Sequence, residues 1–591
     1  MKFRDLSDYY EKLSSISSRL EMIDLLAEMF SRAGKDEVRG IIYITQGVLA
    51  PPFEGIEFGM AEKMVEEAVA FSTGCTKKEV EVEYRKAGDM GKAAGLIKGR
   101  SRSRGLSSNE LSVNQVHRSM LKIATTAGEG SKDLKIKMLA SLLSQSSPLE
   151  AKYIVKYTMD ELRLGLGDAT ILEALAAAYC GGRKHKAQLE RAYNLCSDLG
   201  LVGEVAAAEG LVGISGFKVT LFKPIRPALA ERLPTAEQIM ERMGGTCAVE
   251  QKYDGFRCQI HKDGSKVKIF SRRLEDTTPM FPDLAAAVVN EIGEKSLILD
   301  GEALAYNNVT NEFLPFQETI QRKRKHNISE KVEQLPLHLF AFDIMSLGGK
   351  DLISEPYSKR RKALEATLAG SATMSPATMI LASSPKELED FFEKSVEEGL
   401  EGIVAKQLES KYVAGARKFS WIKMKRSYKG ELSDTLDLVV VGYYLGRGMR
   451  SDFKFGGLLC ATYNEKKDAF ETISRIGTGF TEKQMSELQG ILGKEVVREK
   501  PPRVESIVHP DFWVYPRHVV TVRADEITKS PTHTCGMEEG GGSGRVGLAL
   551  RFPRLVGDEA IRKDKGPEDA TTTKEVIEMY RNQKRVRAED S

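Results

Sequence analysis

The stretch Glu250-Gln251-Lys252-Tyr253-Asp254-Gly255-Phe256-Arg257 sets a primary amine among carboxylates and just ahead of a guanidinium. On a strand, alternate side chains share a face. Glu250 and Lys252 therefore point the same way, Asp254-Gly255 turns the chain, and Arg257 opens the next strand. An amine in that setting is a nucleophile if it can be neutral, and nearby cations favour the neutral form. A lysine left in solvent at the end of a hairpin strand would have the same local sequence, and the octapeptide alone does not separate the two. Asp300 and Glu302 in Leu299-Asp300-Gly301-Glu302 also share a face, as suits a hard cation or a ribose hydroxyl. The apolar Leu297, Ile298, Leu299 and Leu304 around them argue for a buried strand, against an acidic face in water. Glu401-Gly402-Ile403-Val404-Ala405-Lys406 puts a carboxylate before a short apolar strand and an ammonium after it. In Trp421-Ile422-Lys423-Met424-Lys425, Lys423 and Lys425 share a face about 7 Å apart. Two ammoniums held together suit a bound phosphate, although an edge strand with lysines in solvent looks alike. Arg551-Phe552-Pro553-Arg554 and Arg562-Lys563-Asp564-Lys565 add basic residues that, taken alone, read as solvated.

These residues need elements to hold them. The chain has 591 residues, enough for about three to five domains at ~100–200 residues each. Hydrophobic residues make up 41% and charged residues 29%, which argues against a largely disordered chain. With 87 Lys+Arg against 84 Asp+Glu, a basic-tail protein is excluded, but a nucleic-acid binder is not, because positive charge can gather on one surface. The seven cysteines form no C-x-x-C pair, which speaks against a cysteine zinc finger and suits a reducing interior. The charged start MKFRDLSDYYEKL lacks the apolar core of a signal peptide, and the apolar run near 438–445 is too short to span a bilayer. A cytoplasmic protein with no membrane segment is expected.

Residues 1–215 read as one all-α domain, with Leu20, Ile23, Leu26 and Met29, and then Met60, Met64, Ala68 and Phe71, at helical spacing. The basic, Ser/Gly-rich segment 98–118 reads as a charged loop that could track a phosphate backbone. Pro224, Pro227 and Pro234 mark a linker. A mixed α/β domain follows over 216–426, with strands at 248–252, 256–261, 266–273, 297–305, 337–345 and 421–425 and a helix at 385–398. Residues 427–591 carry short Gly-punctuated strands at 436–444, 456–463, 469–476, 518–527 and 546–552, then a helix at 572–583. That pattern suggests a small five-stranded barrel of the OB-fold kind.

The blocks E-x-K-Y-D-G-x-R, S-R-R-L-E-D (271–276), D-G-E, F-A-F-D (340–343), E-G-I-V-A-K, W-I-K-M-K and R-K-D-K occur in that order. Their order resembles the covalent nucleotidyltransferases, that is, DNA ligases, RNA ligases and mRNA-capping enzymes. G-D-M-G (88–91), L-R-L-G-L (162–166), T-G-F (478–480) and R-F-P-R (551–554) look like the ATP-dependent DNA ligases of archaeal and eukaryotic type. The resemblance implies a helical DNA-binding domain, an adenylation domain and an OB-fold domain. It implies that Lys252 is the nucleophile that becomes adenylated, that Glu250 contacts the adenine amino group, that Phe342 stacks on adenine and that Glu302 binds the ribose. It places Arg257, Arg272 and Arg417 along the nucleotide and phosphates, Lys423 and Lys425 at the α-phosphate, and Glu401, with Glu302, at Mg²⁺. Arg562 and Lys565 would orient the leaving pyrophosphate, with a hinge near 426–432 carrying the last domain between steps. The implied substrates are ATP and nicked duplex DNA, in replication, repair and recombination, with DNA held mostly by its backbone.

Some residues depart from that pattern. Ala228 stands where the family usually has Met, and Thr521 where Glu is frequent, so no role is assigned to Thr521. The spacing from Arg554 to Arg562 is long for the family, which leaves the placement of Arg562 open. The 98–108 segment lacks the glutamine and aromatic pair with which some archaeal members bind the sliding clamp. An RNA ligase or guanylyltransferase is disfavoured by the long helical N-terminal region and R-F-P-R, and an NAD-dependent ligase by the missing zinc cysteines. A DNA-binding clamp without catalysis is disfavoured because every block keeps its chemically necessary residue. A monomer is the default expectation.

Overall fold

The computed structural model describes residues 1–101, 110–162, 164–307, 312–313, 336–398, 400–425, 435–445, 455–524, 526–537, 546–557 and 559–589. At 306–307, 312–313, 397, 417 and 582–589 only the backbone is described. The hinge expected at 426–432 therefore lies outside the described residues. The chain forms two compact units, one of Met1–Tyr193 with Ser197–Phe217, the other of Asn194–Cys196 with Lys218–Ser591.

The first unit is helical throughout its described residues, from Phe3–Ser15 to Leu199–Ser215. Its helices start where the sequence supplies caps: Thr76 with Glu79 and Ser147 with Glu150 form capping boxes, and Asp89 accepts from the Lys92 amide. The apolar faces lie slightly to one side of the expected stripes. Leu20 and Phe71 are exposed, while Ile23, Leu26, Met29, Phe30, Val65, Ala68 and Val69 are buried. A 3.6-residue period fixes that a face exists, but several registers fit within one turn of it. Of the basic segment 98–118, residues 102–109 lie outside the described residues. Its ends belong to the helices Met90–Arg100 and Val113–Thr125, so it is not one continuous loop.

The second unit begins with the proline-rich stretch, which is stitched to a sheet. The Phe222 amide donates to His261 Nδ1 at 3.0 Å and the Ile225 amide to Gln259 Oε1 at 2.7 Å. Twelve strands follow: β1 (Leu229–Arg232), β2 (Cys247–Lys252), β3 (Phe256–Asp263), β4 (Lys266–Phe270), β5 (Ser296–Asn307), β6 (Glu312–Phe313), β7 (Leu337–Leu347), β8 (Lys350–Asp351), β9 (Met374–Pro376), β10 (Met379–Ala382), β11 (Gly402–Lys406) and β12 (Arg417–Lys425). One sheet runs β1-β12-β11-β2-β10, and the other runs β4-β3-β5-β7-β8 with β6 on β5 and β9 on β7. Cys247, Val249, Ile403, Ala405, Ile422 and Met424 pack on the helices Ala236–Met243 and Pro385–Glu397. The opposite face of that first sheet carries Glu250, Lys252, Lys423 and Lys425, as strand alternation requires. β12 lies between β1 and β11, so its lysines are not on a free edge.

The predicted strand 266–273 stops at Phe270. Ser271–Asp276 is a tight turn, with Leu274 at φ +64° and its amide donating to the Ser271 carbonyl at 2.8 Å. The C-terminal part holds β13 (Thr435–Tyr444), β14 (Gly457–Asn464), β15 (Ala469–Ile476), β16 (Val496–Val497), β17 (Val504–Glu505), β18 (Phe512–Val514), β19 (Val519–Arg523), β20 (Glu526–Ser530), β21 (Gly547–Arg551) and β22 (Arg554–Leu555), then the helix Thr573–Glu589. The expected strand 518–527 is thus two, β19 and β20. Strands run β16-β18-β13-β14-β15-β17, with β19 on β13 and β22, and β20 pairs only with β21. Among the described residues these strands do not close into a barrel.

Candidate active site

Strand register builds the centre. Gly402 on β11 pairs with Lys252 on one side and Lys425 on the other, and Val404 pairs likewise with Glu250 and Lys423. Lys252 and Lys425 thus flank one glycine. A Cβ there would fall 2.1 Å from the Met424 carbonyl oxygen, and φ is +148°, so only glycine lets the strands approach this closely. Glu401, one residue earlier, donates its amide to the Lys252 carbonyl at 3.1 Å. Its carboxylate takes both the Lys252 and the Lys425 ammonium. Burial pushes Glu401 upward, but Lys252 and Lys425 together hold it well below the usual carboxylate range.

Two more carboxylates face this group. Asp254, in the β2–β3 turn, is exposed on its outer side; lost hydration on its inner side and Glu401 raise it, against Lys252, Lys425 and Arg562. Gly255 beside it lets β3 lie close to β5, since a Cβ would sit 2.5 Å from the Ala303 carbonyl. Glu302 on β5 pairs with Arg257 on β3. Burial pushes Glu302 up to about 7, opposed by Lys252 and Arg257 and reinforced by Asp254 and Glu401. Among the described residues no three His, Cys, Asp or Glu side chains form a ready metal cluster.

Arg257 is held in place by the protein. It grips Asp300 through Nε at 3.1 Å and Nη2 at 2.7 Å, and donates from Nη1 to the Ala228 carbonyl at 3.1 Å. Asp300 also accepts from the Tyr412 hydroxyl at 2.9 Å. Asp300 and Glu302 therefore part company: the first is a buried anchor for Arg257, and the second faces the lysines. Phe342 is half-buried on β7, with the Arg257 guanidinium 5.2 Å from its ring and Trp421 edge-on at 6.0 Å.

Glu250 is more enclosed than its neighbour on the same strand face. It is 2% exposed and takes the Tyr357 hydroxyl, Arg361 Nη1 at 3.2 Å and Lys406 Nζ at 2.7 Å. Lys406 also donates to the Phe342 carbonyl at 2.8 Å and sits 4.1 Å from the Trp421 ring centre. Tyr357, Arg361 and Asp300's partner Tyr412 lay outside every sequence block. Nothing local marks them: Tyr357 and Arg361 sit in the polar run Glu355-Pro356-Tyr357-Ser358-Lys359-Arg360-Arg361-Lys362 and Tyr412 follows Glu409-Ser410-Lys411, stretches that read as solvated. Lys406 was visible as the last residue of E-G-I-V-A-K, without a role.

The remaining cations come from turns and from the C-terminal part. Arg272 lies in the Ser271–Asp276 turn, 3.8 Å from Asp569, and Arg273 donates to the Lys563 carbonyl at 2.8 Å. Lys423 is 3.9 Å from Glu575. Arg562 is fixed by its amide bond to the Val519 carbonyl at 2.7 Å, and it acts electrostatically on Asp254. Ala560 and Ile561, just ahead of Arg562, are buried in the core of the C-terminal part. Lys565 pairs with Asp437. Of the expected residues, only the Arg417 side chain lies outside the described residues.

A lysine flanked by a second lysine, carboxylates and arginines on paired strands suits covalent nucleotidyl transfer. The comparisons agree. Residues 2–176 match the DNA ligase N terminus, 227–425 the ATP dependent DNA ligase domain and 451–565 the ATP dependent DNA ligase C terminal region. The chain is 46% identical over 590 residues to a probable DNA ligase of Dictyoglomus turgidum, covering 100% of this chain and 99% of that one. It is 42% identical over 599 residues to a DNA ligase of Staphylothermus marinus, and 41% over 600 to one of Saccharolobus solfataricus, with at least 99% of every chain covered. The chain belongs to the ATP-dependent DNA ligase family, of the archaeal type. Its three-domain order is helical N-terminal, adenylation and C-terminal.

Proposed function

We propose that this chain seals 5′-phosphate/3′-hydroxyl nicks in duplex DNA through a lysine–AMP intermediate on Lys252. The observation that carries the reading is the pair of ammoniums, Lys252 and Lys425, set on either side of Gly402 and sharing the single carboxylate of Glu401. In direct contact one carboxylate serves two ammoniums, which leaves N–H donors for a phosphate. The Lys252 amine, having lost a proton, attacks the α-phosphorus of ATP. The N–P bond forms as the bond to pyrophosphate breaks, and pyrophosphate leaves. The 5′-phosphate of a nick then displaces Lys252 to give adenylated DNA. The 3′-hydroxyl attacks that phosphate, loses its proton and releases AMP.

Within this reading Lys423 and Lys425 hold the α-phosphate, Glu302 the ribose, and Phe342 the adenine face. Arg257, Arg272 and Arg417 line the nucleotide, and Arg562 with Lys565 orients pyrophosphate. Glu250 would reach the adenine amino group from its bonds to Tyr357, Arg361 and Lys406. Mg²⁺ would offset charge on the phosphate oxygens. Glu401 and Glu302, close enough to act on each other electrostatically, are the carboxylates that would hold it. Such an ion needs only one or two carboxylates when phosphates and water complete its shell. The domain limits 1–215, 216–426 and 427–591, an OB-type fold for the last and a monomer belong to the same reading. No described helix is long and apolar enough to cross a membrane.

The test uses Mg²⁺ and α-labelled ATP on protein freed of bound AMP, beside Lys252→Ala. Label on the wild type alone, discharged by nicked DNA with sealing, is expected. Label that no DNA nick discharges would point to an RNA end or a cap. No label at all would overturn the reading.

A further inference from the structure

Arg562 and Lys565 share one carboxylate, and it comes from neither the adenylation region nor their own segment. Asp437, on β13, takes the Lys565 ammonium on Oδ2, and its Oδ1 lies 3.5 Å from Arg562 Nη1. Asp437 is itself aimed. The Thr521 hydroxyl donates to Asp437 Oδ1 at 2.8 Å, the Asp437 amide donates to Thr571 Oγ1 at 3.0 Å, and the Thr571 amide donates to the Asp437 carbonyl at 2.7 Å. β13 and β19 pair with Asp437 opposite Thr521, and Arg562 hangs from Val519 of that same β19. The aspartate, the threonine and the arginine are thus fixed by one pair of strands. On its far side Arg562 is gripped by Asp564 through two bonds of 2.8 and 2.7 Å. Burial pushes Asp437 upward, yet Lys565 and Arg562 hold it well below the usual carboxylate range. Lys565 feels Arg272 and Arg562 as neighbouring cations, so without the aspartate its ammonium would lose its carboxylate and keep both positive neighbours.

We propose that Asp437 is the positioning residue that holds Arg562 and Lys565 at the spacing used in self-adenylation, with Thr521 aiming it. This rests on the reading that these two cations orient the leaving pyrophosphate. Two like charges otherwise spread apart, and a carboxylate wedged between them sets their separation without touching the nucleotide. Thr521, the position that departs from the family pattern, gains a function here.

The experiment separates the steps in the full-length protein. Single-turnover self-adenylation and single-turnover sealing of a pre-adenylated nick are measured for wild type, Asp437→Asn, Thr521→Val and an Arg562→Ala/Lys565→Ala pair. The KM for pyrophosphate in the reverse reaction is measured as well. Asp437→Asn should slow self-adenylation by about 10- to 100-fold, as when a supporting partner is removed. It should raise the KM for pyrophosphate and leave sealing of the adenylated nick within about twofold. Thr521→Val should shift both in the same sense by a few-fold. If the Arg562/Lys565 pair leaves self-adenylation unchanged, the functional reading of those cations fails first. If the pair is slow but Asp437→Asn adenylates at the wild-type rate, or loses both steps equally, the assignment to Asp437 is wrong. Should Asp437→Asn fold poorly, Thr521→Val carries the same test, and a wild-type pyrophosphate KM there would overturn the proposal.

Discussion

Glu401 and Glu250 stand near each other on paired strands, and each meets lysine, yet they do opposite things. Around Glu250 the charges balance. Glu250 and Glu365 meet Lys406 and Arg361, Asp343 meets Arg360, and the tyrosine hydroxyl of Tyr357 fills the remaining space. Lys406 and Arg360 are each 1% exposed. That cluster is paired internally and expensive to break, so Glu250 could offer the adenine amino group an acceptor but leaves no charge free. Around Glu401 the direct ion pairs do not balance, because one half-buried carboxylate serves two ammoniums while Asp254 and Glu302 act on the lysines only through the field. The difference teaches that residue type alone does not make a site. A functional charge cluster is one that is left short of counter-ions and open to receive them.

The largest effect should come from Glu401→Gln. Both ammoniums would lose their shared partner, and the carboxylate proposed to hold Mg²⁺ would be gone. Self-adenylation should fall on the order of 10²–10³-fold, as for loss of one preorganised electrostatic group. The melting temperature should barely move, and a large drop in it would place Glu401 with the packing cluster instead. Lys406→Met should show the reverse balance. It leaves Glu250 buried with one cation fewer, so denaturant unfolding should report a loss of about 3 kcal/mol. Nick sealing by the folded fraction should suffer less than in Glu401→Gln. Equal stability in Lys406→Met and wild type would remove the distinction between the two clusters.

Sequence carried much of the active side of this comparison and little of the packing side. Lys252, Lys423, Lys425 and Glu302 are legible because strand alternation fixes the face of each side chain once the strand is found, whereas Glu401, which precedes its strand, is picked out only by the family resemblance. The anchors are not legible. Arg361 reaches Glu250 across 111 residues and Tyr412 reaches Asp300 across 112, and no local period encodes such a pairing. Ser271–Arg273 reads as the end of a strand because its residues are compatible with one, and only the Leu274 backbone reveals the reversal. The paired readings of β19 and β20 as one strand failed for the same reason: a break between strands leaves the apolar alternation almost intact. In the helical unit the pattern found the helices but placed Leu20 and Phe71 on the wrong side.

Within the open cluster, Glu302 should titrate near neutral pH. Glu302 is raised to about 7, so below that pH it is protonated in the folded protein. The unfolded chain loses that proton near the ordinary glutamate value of about 4.3. Between the two values the native state binds more protons, so Glu302 lowers stability progressively as pH rises from about 4.3 to about 7. In the same window Mg²⁺ must displace a proton from it. The Mg²⁺ concentration for half-maximal self-adenylation should therefore fall as pH rises to about 7 and then level off. Glu302→Gln should flatten that dependence, and an unchanged slope in the variant would assign the titration to another group.

The smallest effect sharpens the comparison from inside the closed cluster. Arg361 bridges Glu250 within the protein and Glu365 at the rim, 3.2 and 2.7 Å away. Glu250 is buried, whereas Glu365 is 47% exposed and four residues along the same helix. By distance alone the Glu365 bond would be the stronger. Solvent screening reverses that order, because an exposed pair on a helix gives only about 0.3–0.5 kcal/mol. Glu365→Gln should therefore cost no more than about 0.5 kcal/mol in denaturant unfolding. The loss should shrink further in high salt, since Debye screening acts on exposed pairs first. A loss of several kcal/mol that persists in salt would mean that Arg361 depends on both carboxylates to stay on Glu250. The closed cluster would then extend to the surface rather than end at the buried pair.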